Sequence, residues 1–321
     1  MRSVVRWAIA LLSLAVAAAS PARAEWPDKP VKLVVGFTAG SATDVSGRLF
    51  ANKFGEMWGQ SVIVDNVPGN SGAIGVDRVA KAAPDGYTLM WSGNAAITIL
   101  PSLQKLPFDP MKDFEHITIA LGTASLLMVN NDLPVKTLAE LIAYAKANPG
   151  KLSYGSPGVG TPQHVAGELL CRLSGIKMEH IPYRGANLTD LMSGVVPVGI
   201  QNSGAATPFV RDGRVRGIAV TSLKRSAALP NLPTVAEQGF PGFEALSWFG
   251  LMAPKGTPPA ILDKVRAASM KVLADQETLQ KLTALGLEPV GSSSAEMTAA
   301  MAADIPKWEK VIRDANITVS K

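Results

Sequence analysis

Three short β-branched strands alternating with two helices fill about sixty residues, and this alternation constrains the chain most. Residues 31–37 (VKLVVGF) form an apolar run bounded by Pro30 and by Ala39-Gly40-Ser41, the pattern of a buried strand. Residues 46–58 then carry Leu49, Phe50, Phe54 and Met57 at helical spacing. Residues 61–65 (SVIVD) predict a second strand, followed by a turn at Pro68-Gly69-Asn70-Ser71-Gly72, a helix over 73–82 and a strand over 88–91. Alternation at this spacing means a parallel sheet with helices on its faces.

A second unit of the same kind follows. Residues 125–129 read as a strand, 138–147 as a helix, and 152–155 as a strand entering a Gly-rich loop. The pattern continues with a helix over 163–174, a strand over 179–183, a short helix from Asp190, and strands over 196–200 and 215–221. The rest is mainly helical (259–274, 277–285, 294–315), with a strand-like 288–290, and is long enough to pack back on the first unit. The fold class expected is α/β, with two lobes joined by strands crossing near 121–127 and 245–251. Residues 25–124 and 248–321 would form the first lobe and 125–247 the second.

Residues 1–24 carry another message. Arg2 and Arg6 precede a 14-residue uncharged apolar run (7–20), and Ala22-Arg23-Ala24 supplies the small-x-small pattern of a signal-peptidase site. The run is too short to span a bilayer, which takes about 20 residues. Cleavage after Ala24 and export to the periplasm are expected, with no lipid anchor, since the one cysteine is Cys171. Removal of the signal takes three of the 31 basic residues, leaving 28 against 26 acidic ones in 297 residues, a net charge of +2. With no Lys/Arg cluster longer than two, nothing predicts a nucleic-acid partner. A lone cysteine cannot form an internal disulfide, and Cys171 lies in an apolar helical stretch as a small core residue.

Two loops combine a strand end, small residues and a helix start. The first is Gly36-Phe37-Thr38-Ala39-Gly40-Ser41-Ala42-Thr43-Asp44; the second runs from Tyr154 to His164 (YGSPGVGTPQH), with Thr161 as N-cap and Pro162 in the first turn. Free N–H groups and the positive end of the helix dipole favour a carboxylate or phosphate at such a place. One start per lobe could hold both ends of a dianion. Asn94, Tyr183, Gln201 and Asn202 follow other strands and are further candidates. The dinucleotide fingerprint fails because position 163 is Gln, and the nucleophile elbow fails because position 154 is Tyr. His116, His164 and His180 lack metal-ligand spacing.

An ordered set of motifs runs along the chain. It includes Trp26-Pro27-Asp28-Lys29-Pro30-Val31, Gly36-Phe37-Thr38-Ala39-Gly40 with Asp44, Asn66-Val67-Pro68-Gly69, Ala83-Pro84-Asp85-Gly86-Tyr87-Thr88, Leu106-Pro107-Phe108-Asp109, Gly158-Val159-Gly160-Thr161, Ile181-Pro182-Tyr183-Arg184-Gly185 and Pro254-Lys255-Gly256-Thr257-Pro258. In these the chain resembles the Bug (TctC-like) solute-binding receptors of tripartite tricarboxylate transporters, from Trp26 nearly to its end. The resemblance implies a type II periplasmic binding fold that closes on a small carboxylate and works with membrane transporter subunits. By position it implies first-lobe contacts from Phe37, Thr38, Ala39, Gly40, Ser41 and Asp44. Ser156, Gly160, Thr161 and His164 would serve a second carboxylate. No cofactor, metal or catalytic residue is implied, and a monomer is expected.

There are departures from the family pattern: Gly36 and Ser41 replace the usual Pro and Gly, and Ala186-Asn187-Leu188 makes the loop after Arg184-Gly185 two residues short. Gly199-Ile200-Gln201 stands where Met-Phe-Asp is common. Loss of that Asp disfavours an amino-acid ligand and favours a neutral-bodied or dianionic acid. Two alternatives accompany this reading: a sensor serving a membrane signalling partner, and a hydrolase using Ser156 or Ser41 with His164.

Overall fold

The computed structural model describes residues 25–183, 185 and 187–318. The proposed signal, with its cleavage point, lies outside them, as do Arg184 and Ala186. None of the helices among the described residues is long and apolar enough to cross a membrane.

The first sheet has six strands. β1 (Val31–Val35), β2 (Val62–Asn66) and β3 (Thr88–Gly93) are parallel, as the alternation predicts. β4 (Phe114–Thr123) and β10 (Ser247–Pro254) are antiparallel to each other, and β10 lies between β3 and β4. The short β11 (Glu288–Pro289) closes the order β11-β4-β10-β3-β1-β2. The second sheet, β7-β6-β8-β5-β9, comprises β5 (Ser125–Val129), β6 (Ser153–Ser156), β7 (Glu179–Pro182), β8 (Val198–Asn202) and β9 (Arg216–Val220). Only Ala124 separates β4 from β5, so the first crossing is one continuous run; the second, Ala245-Leu246, leads directly into β10. The chain thus passes between the two sheets at Ala124 and again just before β10.

Helices cover both faces of each sheet. α1 (Ala42–Trp58) starts at the N-cap Ser41 and stops at Gly59, which has φ 65. It buries Phe50 and Phe54 against β1 and β3. α2 (Ala73–Ala80) packs on the opposite face with Met90 and Ile97. In the second unit α3 (Leu138–Ala147) and α4 (Pro162–Ser174) share a cluster with Val129, Tyr154 and Ile200, while α5 (Leu188–Ser193) and α6 (Ser203–Arg211) cover the other face. Cys171 is buried in α4, and burial pushes its thiol up to about 12, in keeping with a core role.

Two features were not legible. α6 has no side-chain cap and holds an internal Pro208, so its sequence (SGAATPFVR) lacks a start signal and carries a breaker; contact of Ala206 with the second sheet's core supports it instead. After α7 (Pro259–Ala274) and α8 (Gln276–Ala284), α9 (Ser294–Asp314) does not pack on the first lobe alone. Its Met297 and Met301 join the first lobe's core with Trp248, whereas Trp308, Val311 and Ile312 join the core built on β5, β6 and β8. The helix carries a complete capping box at Ser293 and Glu296.

Candidate functional site

The two helix starts singled out from sequence share a geometry. In each, a glycine with positive φ precedes the N-cap: Gly40 (φ 83) before Ser41, Gly160 (φ 75) before Thr161. In each, the N-cap hydroxyl accepts the N–H three residues on, Ser41 Oγ from Asp44 at 3.2 Å and Thr161 Oγ1 from His164 at 3.3 Å. The residue in that third position then reaches back. Asp44 Oδ2 accepts the Gly40 N–H at 2.9 Å, and His164 Nδ1 accepts the Gly160 N–H at 3.1 Å.

These bonds assign different tasks to residues expected to act alike. Asp44 is 2% exposed and both its oxygens are taken. Arg48 donates to Oδ2 at 3.0 Å and lies 3.0 Å from Oδ1, which also accepts from Asn66 Nδ2 at 2.8 Å. Asn66 further donates to the Phe37 carbonyl at 3.0 Å, tying the loop to β2. Burial opposes ionisation of Asp44, but the bonds from Arg48, Gly40 and Asn66 outweigh it and hold the carboxyl below its ordinary value. Asp44 fastens the loop rather than offering a free carboxylate. Phe37, Thr38, Ala39, Gly40 and Ser41 remain half-buried or exposed. The amides of Thr38, Ala39, Ala42 and Thr43 have no hydrogen-bond partner among the described residues.

The second start is held without charge. His164 is 3% exposed and its ring stacks on His180 at 3.7 Å and 11°. Burial and the neighbouring His180 depress its pKa to about 3, and burial lowers His180 to about 4, so both are neutral at pH 7. Ser156 is fully buried; its Oγ lies 2.7 Å from His180 Nε2 and accepts the Gly158 N–H at 3.2 Å. Neither Ser156 nor His164 is therefore placed as an exposed contact, and the imidazole beside Ser156 is His180, not the His164 of the hydrolase alternative. Thr161 Oγ1 donates to the Gly158 carbonyl at 2.7 Å. Only the Val159 and Gln163 amides lack a partner among the described residues here, Pro162 having none to offer.

The remaining candidates support the crossings or the second sheet. Asn94 Nδ2 donates to the Leu246 carbonyl at 2.8 Å, bracing the second crossing. Asn202 Oδ1 accepts from Gln163 at 2.5 Å and from Ser247 at 3.3 Å; Gln163 also donates to Ser125 at 3.0 Å, so one glutamine side chain meets both crossings. Gln201 donates to Asn187 Oδ1 at 2.6 Å, and both are 2% exposed. Tyr183 donates to Asp190 at 2.7 Å; burial and that carboxylate push its phenol up to about 12. Gln163, Asn66, His180 and Asn187 were missed as site-building residues. Each stood in the sequence for another reason: Gln163 as a break in a glycine motif, Asn66 and Asn187 within family-motif segments, and His180 as a histidine without metal-ligand spacing. Gly160 itself abuts the first lobe, since a Cβ there would lie 2.8 Å from Leu103 Cδ1. No cluster of potential metal ligands occurs among the described residues.

Two α/β lobes on crossing strands, each with a helix start of the same build, match the architecture of a two-lobed solute-binding protein. Residues 47–317 match the family described as "Tripartite tricarboxylate transporter family receptor", and the chain belongs to that family. It is 38% identical over 315 residues to a Cupriavidus necator protein, "UPF0065 protein in gbd 5'region", covering 97% of this chain and 94% of that one. Two solved structures are similar throughout. One is the R. palustris protein Rpa4515 with adipate (37% identity, TM-score 0.80, 92% of this chain and 99% of that). The other is the periplasmic binding protein BugD (33% identity, TM-score 0.77, 91% and 99%). The fold is thus the periplasmic binding fold expected, and the family is one of receptors, not enzymes.

Proposed function

We propose that the chain captures a small dicarboxylate between its lobes, with one carboxylate at each helix start. The observation that carries this is the set of unpartnered amides at two starts whose own side chains are already spent on holding them. Backbone N–H groups at a helix N-terminus favour an anion without needing a cationic side chain. The contacts proposed are Phe37, Thr38, Ala39, Gly40 and Ser41 in the first lobe, and Gly160 and Thr161 with the Val159 and Gln163 amides in the second. Asn94, Tyr183, Gln201 and Asn202 lie behind these as supports. Adipate bound to a relative of 37% identity favours the same ligand class. Gln201 is neutral and engaged by Asn187, so no carboxylate is available there for a ligand ammonium.

The lobes proposed are 25–124 with 248–321, and 125–247, and the product is read as a periplasmic monomer cleaved after Ala24 that delivers ligand to membrane transporter subunits. Titration calorimetry against adipate, malate, succinate, aspartate and glutamate tests the ligand class. Binding of the diacids and not of the amino acids is expected. Tight binding of aspartate or glutamate alone would reject it.

A further inference from the structure

We infer that His180, which belongs to neither helix start, is the positioning residue for the second one and acts through Ser156 and His164. The inference rests on the second loop being a ligand contact, and it goes beyond that reading by assigning who sets the loop's shape.

The loop is unusual backbone. Gly158 has φ 147 and Gly160 φ 75, conformations that side-chain-bearing residues rarely adopt, so both need holding. Each is held by one polar side chain, Gly158 by Ser156 and Gly160 by His164. His180, on the neighbouring strand β7, touches both holders. Its Nε2 lies 2.7 Å from Ser156 Oγ, and its ring covers the His164 ring at 3.7 Å.

Hydrogen counting gives the arrangement a direction. His164 Nδ1 accepts the Gly160 N–H, so a neutral His164 carries its proton on Nε2. Ser156 Oγ has one hydrogen and three partners: the Gly158 N–H, the Gly158 carbonyl at 3.2 Å and His180 Nε2. All three are satisfied together if His180 donates from Nε2, leaving the serine hydrogen for the carbonyl. That carbonyl also accepts from Thr161 Oγ1, so the chain from His180 ends at the N-cap itself. Tyr154 also packs against the imidazole, its ring 5.0 Å away and its hydroxyl donating to Glu168 at 2.7 Å. One half-buried imidazole thereby sets both glycines that shape the anion-facing amides.

Three variants separate the routes: His180→Phe keeps a ring but no donor, His180→Gln keeps a donor but no ring, and Ser156→Ala breaks the route to Gly158 alone. Amide hydrogen exchange on ligand-free protein reads Gly158 and Gly160, with Gly40 as internal reference. His180→Phe should raise exchange at Gly158 about tenfold, and Ser156→Ala should match it there. His180→Gln should restore Gly158 but leave Gly160 faster than in the parent. The double variant Ser156→Ala/His180→Phe should be no worse than His180→Phe alone, because the two act in series. Adipate affinity by calorimetry should fall about tenfold in His180→Phe. Unchanged exchange at both glycines, or additive effects of Ser156→Ala and His180→Phe, would overturn the inference. If the parent binds none of adipate, malate and succinate, the ligand class fails while the exchange measurements still decide the role of His180.

Discussion

The two helix starts solve one problem with opposite chemistry. The first is fastened by a carboxylate: Asp44 takes the Gly40 N–H and is itself gripped by Arg48 and Asn66. The second is fastened by a neutral imidazole, His164, whose ring is buried against His180. The geometry is common, so the shape of the turn is what both lobes preserve. The consequence differs, because the first leaves more amides free among the described residues than the second, which has Pro162 in its first turn. On the dicarboxylate reading proposed above, the first start offers an anion more backbone donors than the second.

Acid should separate them most. His164 and His180 have folded pKa values of about 3 and about 4 against an ordinary 6.5. Their stabilising contribution is complete above pH 6.5 and is lost as pH falls through the window from 6.5 toward 4, where the unfolded chain takes up protons first. Asp44 is depressed below its ordinary 3.8, so its contribution stays intact through that window and is lost only below it. Glu168, raised by burial, works against the histidines in the same range. Hydrogen exchange at pH 7 and pH 4.5 should therefore show Gly160 loosening while Gly40 holds. Equal loosening would remove the distinction.

Asp44→Asn comes next. It puts a donor where either Gly40 or Arg48 also donates, and hydrogen bonds to a buried charged group contribute about 2–3 kcal/mol. Urea melts should show a loss of that size, with adipate affinity reduced at least tenfold. The glycines give a smaller contrast. A Cβ at Gly160 meets left-handed backbone and Leu103, one at Gly40 the backbone alone, so Gly160→Ala should cost about 2 kcal/mol and Gly40→Ala about 1. Arg48→Gln should do least: its side chain is 47% exposed, which limits the pair with Asp44 to under about 1 kcal/mol.

Much of this was written in the sequence. Strand–loop–helix at 31–58 and 153–174 follows from β-branched runs, Ser and Thr caps and a first-turn proline, all local signals. The roles of Asp44 and His164 were not legible, because a polar residue in a first turn looks the same whether it faces a ligand or its own backbone. The answer lay with Asn66 and His180, distant in sequence and fixed only by strand pairing. The antiparallel β10 between β3 and β4 was invisible for the same reason: a fully buried strand shows hydrophobicity but not its neighbours.

The position of β10 has a consequence for how the molecule comes to exist. A chain synthesised only as far as residue 246 would contain every strand of the second sheet but a first sheet in two pieces, β2-β1-β3 and an unpaired β4. The second lobe would still lack Trp308, Val311 and Ile312 from α9. Neither half can mature on its own timetable, since the last seventy or so residues finish both cores. Such long-range closure makes folding slow and late, and it means that partly made or clipped chains carry no half-working cleft.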